Sequence, residues 1–236
     1  MVLLGSIVNG AAIIAGTLIG LLLRRIPERM KETVMNGIGL AVMVLGITMA
    51  LKTTDIFYVI VSLVLGSILG EWMNLEGKLL AVGHFLENKL KHFKTGNVAE
   101  GFVTATLIFV IGAMSIIGAL DSGLRGDHAV LLTKSMIDGF TSIILASTLG
   151  VGVMISAVPV FLYEGCIALL ANVIHQYIND ELLKLLISEI TATGGVLILA
   201  IGINIMNIKA IRVANMLPSL FVIILLIAFK YLIHWA

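Results

Sequence analysis

Eight stretches of about twenty mostly apolar residues follow one another along this 236-residue chain, and each is long enough to cross a bilayer as a helix. They cover residues 2–23, 33–51, 55–73, 101–120, 129–152, 153–177, 185–208 and 213–233. The fifth and sixth run together; Gly150, Gly152, Ser156 and Pro159 supply the turn or break between them. Composition agrees: 59% of residues are hydrophobic and only 12% charged, against about a quarter charged in soluble domains. The expectation is therefore an all-α, polytopic integral membrane protein of about eight transmembrane helices forming one domain, 1–236. The apolar N-terminal run has its arginines after it rather than before it, so it reads as a first span and not as a secretory leader.

Several function classes fall away at this level. Net charge is +1 and no basic-aromatic patch occurs, so nucleic acid is not an expected partner. The single cysteine, Cys166, excludes an intramolecular disulfide, and the five histidines show no metal-ligand spacing. No GxSxG, HExxH or phosphate-loop pattern is present, so neither an enzyme nor a cofactor is expected. The expected partners are the lipid bilayer and a small solute or ion.

Orientation follows from lysine and arginine. With the N-terminus outside, the cytoplasmic loops hold Arg24, Arg25, Arg29, Lys31, Lys78, Lys89, Lys91, Lys94, Lys209 and Arg212, ten of the fifteen basic residues. Both termini are then expected outside a bacterial inner membrane. Residues 74–98 are the one sizeable polar segment. Leu79, Leu80, Val82, Phe85, Leu86, Leu90 and Phe93 recur there at helical spacing, which predicts an amphipathic cytoplasmic connector lying on the membrane.

Polar side chains inside the spans carry the functional argument. A carboxylate at a span centre costs roughly 2.5–3.5 kcal/mol on insertion scales, so it normally faces a bundle interior or a wet cavity. Glu164 is such a residue, either a proton- or cation-binding carboxylate or a hydrogen-bonded glue between helices. Lys134 and Asp138 lie one turn apart on one face and can neutralise each other, as a structural pair near the outer rim or as a gating pair. Asn9 is a site ligand or glue. Glu189, Thr193 and Asn204 make a polar stripe along span seven, where Thr191 and Gly194–Gly195 are expected to loosen the helix. Gly16 and Gly20 in span one, and Gly66 and Gly70 in span three, keep GxxxG spacing and predict close helix packing, within the chain or in a homo-oligomer.

Two internal likenesses compete. Residues 37–51 resemble 193–207, with Gly39, Gly46 and Ile47 matching Gly195, Gly202 and Ile203 on spans of opposite direction, the pattern of an inverted repeat. Residues 6–20 resemble 136–150, pairing Asn9–Gly10 with Asp138–Gly139 after a one-residue slip, on spans of the same direction.

The segments GSIVNGAAIIAGTLIG (5–20), GAMSIIGALDSGLRGDHAVLLTKSMIDGFTSIILASTLG (112–150) and LYEG (162–165) resemble an uncharacterised bacterial membrane-protein family of the YdfK and YqgA type, across essentially the whole chain. The resemblance implies a prokaryotic polytopic inner-membrane protein and brings no substrate or site residue with it. The reading that best uses the buried polar set is a small-solute or ion transporter, with Asn9, Asp138, Glu164, Thr193 and Asn204 lining a midplane site. An oligomeric channel and a non-transporting scaffold that docks a partner through the 74–98 helix are the alternatives.

Overall fold

In hydrocarbon no water replaces a lost backbone hydrogen bond, so a spanning segment must pair its amides within itself. The computed structural model, which describes residues 1–22, 28–89 and 98–235, meets that demand with helices: α1 (Leu4–Leu22), α2 (Glu28–Ala50), α3 (Ile56–Met73), α4 (Leu75–Lys89), α5 (Val98–Val110), α6 (Ala113–Leu124), α7 (Ala129–Leu149), α8 (Gly152–Ile155), α9 (Ala157–Tyr177), α10 (Asp180–Ile205), α11 (Val213–Met216) and α12 (Pro218–Trp235). The described residues contain no strand. The boundaries follow local chemistry. The Asp55 carboxylate accepts from the Phe57 amide to start α3, and Asn179 accepts from the Leu182 amide to start α10. Gly150 ends α7 at φ +85°, a conformation open to glycine at little cost. Pro159 sits third in α9 and Pro218 first in α12, where a missing amide hydrogen leaves no helical bond unmade.

The chain divides into two compact units. The first comprises Met1–Val34, Leu80–Val110 and Met114–Ile174, and so holds α1, α5, most of α6, α7, α8 and most of α9. Here α1 and α7 lie side by side and parallel: Gly5 faces Leu131, Gly16 faces Gly139 and Ser142, and Gly20 faces Ile143 and Ala146. A Cβ on Gly16 would strike the carbonyl oxygen of Gly139, so only glycine permits this approach. The pair α5–α6 bends by 62°. It runs antiparallel to α7 over that helix's whole length, from Gly101 beside Leu149 to Gly118 beside Leu131. It is therefore a single broken span rather than a loop that returns to its own side. The parallel direction of α1 and α7 demands the same, since an odd number of crossings must lie between two parallel spans and α2 and α3 supply only two. The predicted fourth span, 101–120, is thus extended and interrupted near Gly112.

The second unit holds Met35–Leu79, Ile111–Ala113 and the chain from His175 onward. Its helices α2 and α10 are antiparallel, and their glycines meet in reciprocal pairs. A Cβ on Gly46 would lie 2.7 Å from the Gly195 carbonyl oxygen, and one on Gly195 would lie 2.6 Å from that of Gly46. Gly39 and Gly202 repeat the exchange at 3.0 and 2.8 Å. The matched residues of segments 37–51 and 193–207 are those that touch, crosswise, as a two-fold axis across the helices would place them. Such small-residue seams let backbones approach where lipid supplies no hydrophobic drive to associate. Helix α10 continues unbroken through Gly194 and Gly195, so the predicted loosening there is corrected: these glycines admit neighbours instead. Gly66 and Gly70 are likewise used inside the chain, against the backbones of Ser219 and Asn215. Leu186, Ile223 and Ile227 form the apolar centre, with Tyr58 and Leu182 packed on it.

Of the predicted 74–98 connector, α4 covers Leu75–Lys89, and Leu90, Lys91, Phe93 and Lys94 lie outside the described residues. Its N-terminal end is tied down by a polar lock. The Glu76 amide donates to Asn215 Oδ1 at 2.7 Å, and the Ala214 amide donates to Glu76 Oε2 at 3.0 Å. Asn215 Nδ2 and Arg212 both donate to Glu71.

Candidate functional site

Along α7, Leu131, Lys134, Asp138, Ser142 and Leu145 recur at three- and four-residue steps, so they share one face. That face turns toward α1 and α9, and all five are buried. Asp138 stands at the tenth of the helix's 21 residues, midway along the span. Leu131 and Leu145, both wholly inaccessible, bound the polar run at either end.

Three helices meet at this level. Asn9 of α1 donates its Nδ2 to Asp138 Oδ2 at 3.0 Å and to Glu164 Oε1 of α9 at 2.8 Å. Lys134 Nζ donates to Asp138 Oδ2 and stands 3.3 Å from Glu164 Oε1. Asn9 and Glu164 are 0% exposed, and Lys134 and Asp138 are 6% exposed. The lysine-aspartate pair is thus not at an outer rim; it lies in the interior of the first unit and is joined there by a second carboxyl.

The charge balance is uneven. With every group ionised, two carboxylates face one ammonium, and the cluster carries a net charge of −1. An isolated charge in a medium of low dielectric is strongly disfavoured, so a site of this kind either holds one more positive charge or takes up a proton. The hydrogen-bond account is uneven in the same direction. Glu164 Oε2 and Asn9 Oδ1 are buried acceptors without a partner, and the buried hydroxyls of Ser6 on α1 and Ser142 on α7 have none either. Orphaned buried polar atoms are uncommon and call for an explanation such as an ion, a proton or a water. A groove of about 560 Å³ opens between α1 and α9, lined by Ile7, Gly10, Ile14, Ala157 and Phe161 among others; it offers a solute no hydrogen bonds.

The remaining predicted polar residues, Glu189, Thr193 and Asn204, belong to the second unit and are not part of this cluster. Glu189, also wholly buried, is fully engaged: Thr53 Oγ1 donates to it at 2.6 Å, and the Thr54 amide and hydroxyl each donate at 2.7 Å. It clamps the loop between α2 and α3. Asn204 brackets the loop after α10, donating to the Ile211 carbonyl and accepting from the Ile211 amide, both at 2.8 Å. Thr193 is buried with its hydroxyl unpartnered. Gly16, Gly20, Gly66 and Gly70 stand at the helix contacts described above. Among the described residues no group of three or more metal-ligating side chains converges.

Ser6 and Ser142 were not singled out by the sequence. Ser142 follows Asp138 by one helical turn and Ser6 precedes Asn9 by three residues, so helical spacing alone could have attached both to the cluster once it was known. Thr53 and Thr54 carried no signal, because their role depends on a residue 136 and 135 positions away.

A family model described as "Protein of unknown function (DUF554)" matches residues 4–228, and the chain belongs to that family. It is 41% identical over 224 residues to the "Uncharacterized membrane protein YdfK" of Bacillus subtilis (strain 168), covering 92% of this chain and 93% of the relative. It is 30% identical over 222 residues to the "Uncharacterized protein YqgA" of Escherichia coli (strain K12), with the same two shares. No solved structure matches.

Proposed function

We propose that this member of a membrane-protein family without an assigned activity is a small-solute or ion transporter of the bacterial inner membrane, and that the Asn9–Lys134–Asp138–Glu164 cluster holds its coupling proton or monovalent cation. One observation carries the reading: Glu164 is wholly inaccessible, keeps one carboxyl oxygen without a partner, and belongs to a group whose ionised form is one positive charge short. A structural ion pair needs no second carboxyl, and burying one without a balancing charge costs stability. Intramembrane ionisable residues on facing helices are the usual seat of ion coupling. Broken spans such as α5–α6 are a recurring device of transporters.

Orientation belongs to the same proposal. Both termini face outward, which puts the ten basic residues of the first, third and seventh loops in the cytoplasm. Single cysteines placed at positions 2 and 125 in a Cys166→Ser background should react with a membrane-impermeant thiol reagent in whole cells, and one at position 78 should not.

The channel alternative expects conductance without coupling and an oligomer formed through the GxxxG seams; Gly16, Gly20, Gly66 and Gly70 each face a neighbour within their own chain, so those seams lend it no support. The scaffold alternative requires the cluster to tolerate apolar replacement. Solute counterflow into proteoliposomes, run over a panel of cations, anions and amino acids, separates the readings. Exchange present in the wild type and lost in Glu164→Gln supports the transporter; exchange equal in both removes Glu164 from the pathway.

A further inference from the structure

Resting on the transporter reading of the same cluster, we infer that the ion it takes is a proton, carried by Glu164, and that Lys134 is a tethered internal cation that keeps alkali ions out. A bare Na⁺ or K⁺ must exchange its hydration shell for a surrounding cage of oxygens. In this cluster the place between the two carboxyls is taken. Lys134 Nζ donates to Asp138 Oδ2 and lies 3.3 Å from Glu164 Oε1, and Asn9 Nδ2 donates to those same two oxygens. An alkali ion entering there would have to expel an ammonium whose own stem is buried, leaving that charge without a partner. The cluster's own members leave two oxygens unpartnered, Glu164 Oε2 and Asn9 Oδ1, and the Ser6 and Ser142 hydroxyls stand a helical turn off along α1 and α7; without the two oxygens that Lys134 holds, that is a sparse set for a cage and ample for one proton.

A single proton on Glu164 Oε2 removes the charge imbalance, and a neutral hydroxyl is far less costly to bury than a charged oxygen without a partner. The proton brings the cluster from net −1 to neutral, and it turns an orphaned acceptor into a hydroxyl. Release breaks that O–H bond and passes the proton to water, after which the Lys134 ammonium is shared by two carboxylates. The other ionisable groups near Glu164 do not offer a competing balance. Lys134 and Asp138 of α7 are already in the cluster, and Tyr163 precedes Glu164 on its own helix. Helix α6 meets α9 through Gly123, and its Asp121 is paired with Arg125. Asn9 is the one cluster residue of α1, and it is uncharged.

The test reads the site itself and not transport. The full chain, purified in detergent, is studied by infrared spectroscopy in the carbonyl region of protonated carboxyl groups. Spectra are taken across a pH titration in buffers whose cation is Na⁺, K⁺ or N-methylglucamine. The wild type should show a buried protonated-carboxyl band with the same amplitude in all three buffers, and Glu164→Gln should lose it. Glu189→Gln, which removes a buried carboxyl tied to a loop, should keep it. Lys134→Met should make the band shrink when Na⁺ or K⁺ replaces N-methylglucamine, because the tethered ammonium no longer fills the space. A wild-type band that Na⁺ or K⁺ diminishes at fixed pH overturns the inference, as does a band that survives in Glu164→Gln or a Lys134→Met protein still indifferent to cation. Glu164→Gln keeps the shape and the Asn9 contact, so gel filtration should find it folded, and a lost band then means a lost proton. If the band behaves as expected while no solute exchanges, the site assignment stands and the transporter reading fails. If solute exchanges through Glu164 while the band responds to Na⁺, transport stands and the proton assignment fails.

Discussion

Replacing Lys134 with methionine puts the charge argument at risk in a single step. The methionine keeps most of the stem's volume and removes the one ammonium of the cluster. Asp138 Oδ2 and Glu164 Oε1 then face each other with only the Asn9 amide between them, at 3.0 and 2.8 Å. Removing one partner of a buried ion pair typically costs about 3–5 kcal/mol, because the remaining charge is left buried without compensation. For a chain of this length 1 kcal/mol moves the melting temperature by roughly 2–4 °C, so the expected loss is roughly 6–20 °C. Adding Asp138→Asn removes a carboxylate as well and leaves a neutral cluster once Glu164 holds its proton. Replacing both members of a buried pair is often close to neutral, so the double variant should recover most of the loss, with an interaction energy near 2–3 kcal/mol. The assay is thermal unfolding in one fixed detergent at neutral pH, run for the wild type, both single variants and the double variant. A Lys134→Met protein that melts within about 1 kcal/mol of the wild type would refute the argument, as would single effects that simply add.

Other consequences are independent of the cluster's charge. Gly46→Ala forces a Cβ to within 2.7 Å of the Gly195 carbonyl oxygen, so α2 and α10 must move apart; a loss of about 1–3 kcal/mol in thermal unfolding is expected, as for other overpacked cores. Gly16→Ala should do the same to α1 and α7 and, by displacing Asn9 from α7, should also reduce flux. Glu189→Ala leaves the Thr53 and Thr54 donors unpaired and should destabilise by roughly 2–4 kcal/mol, with faster amide exchange in the α2–α3 loop and the solute preference unchanged. Asn204→Ala should free the segment around Ile211 and raise its proteolysis, again with the solute preference unchanged.

Fold class and span count were legible because lipid imposes a length and a composition on every crossing. The break between α7 and α9 was legible too, since Gly150 and Pro159 have few other uses in an apolar run. The bend near Gly112 was not. Its flanks are apolar, and a single glycine there resembles the many that serve packing. Within the site, the α7 pair could be read because Lys134 and Asp138 are one turn apart, and Glu164 because a central carboxylate is costly. Their meeting with each other and with Asn9 spans 129 and 155 positions of sequence, and local periodicity holds no information at that range. The same limit grouped Glu189 and Asn204 with the site. A polar stripe on one helix shows which side chains avoid lipid, but not whether they meet a solute or, as here, the backbone of a neighbouring loop.

The most direct test of the central claim is a recording of internal pH in proteoliposomes as external solutes are added in turn, with wild-type protein and Glu164→Gln reconstituted at equal density. The account predicts that at least one solute changes internal pH through the wild type and that the change is absent with Glu164→Gln, although the variant is folded and inserted. A solute-dependent pH change of equal size in both proteins would contradict it.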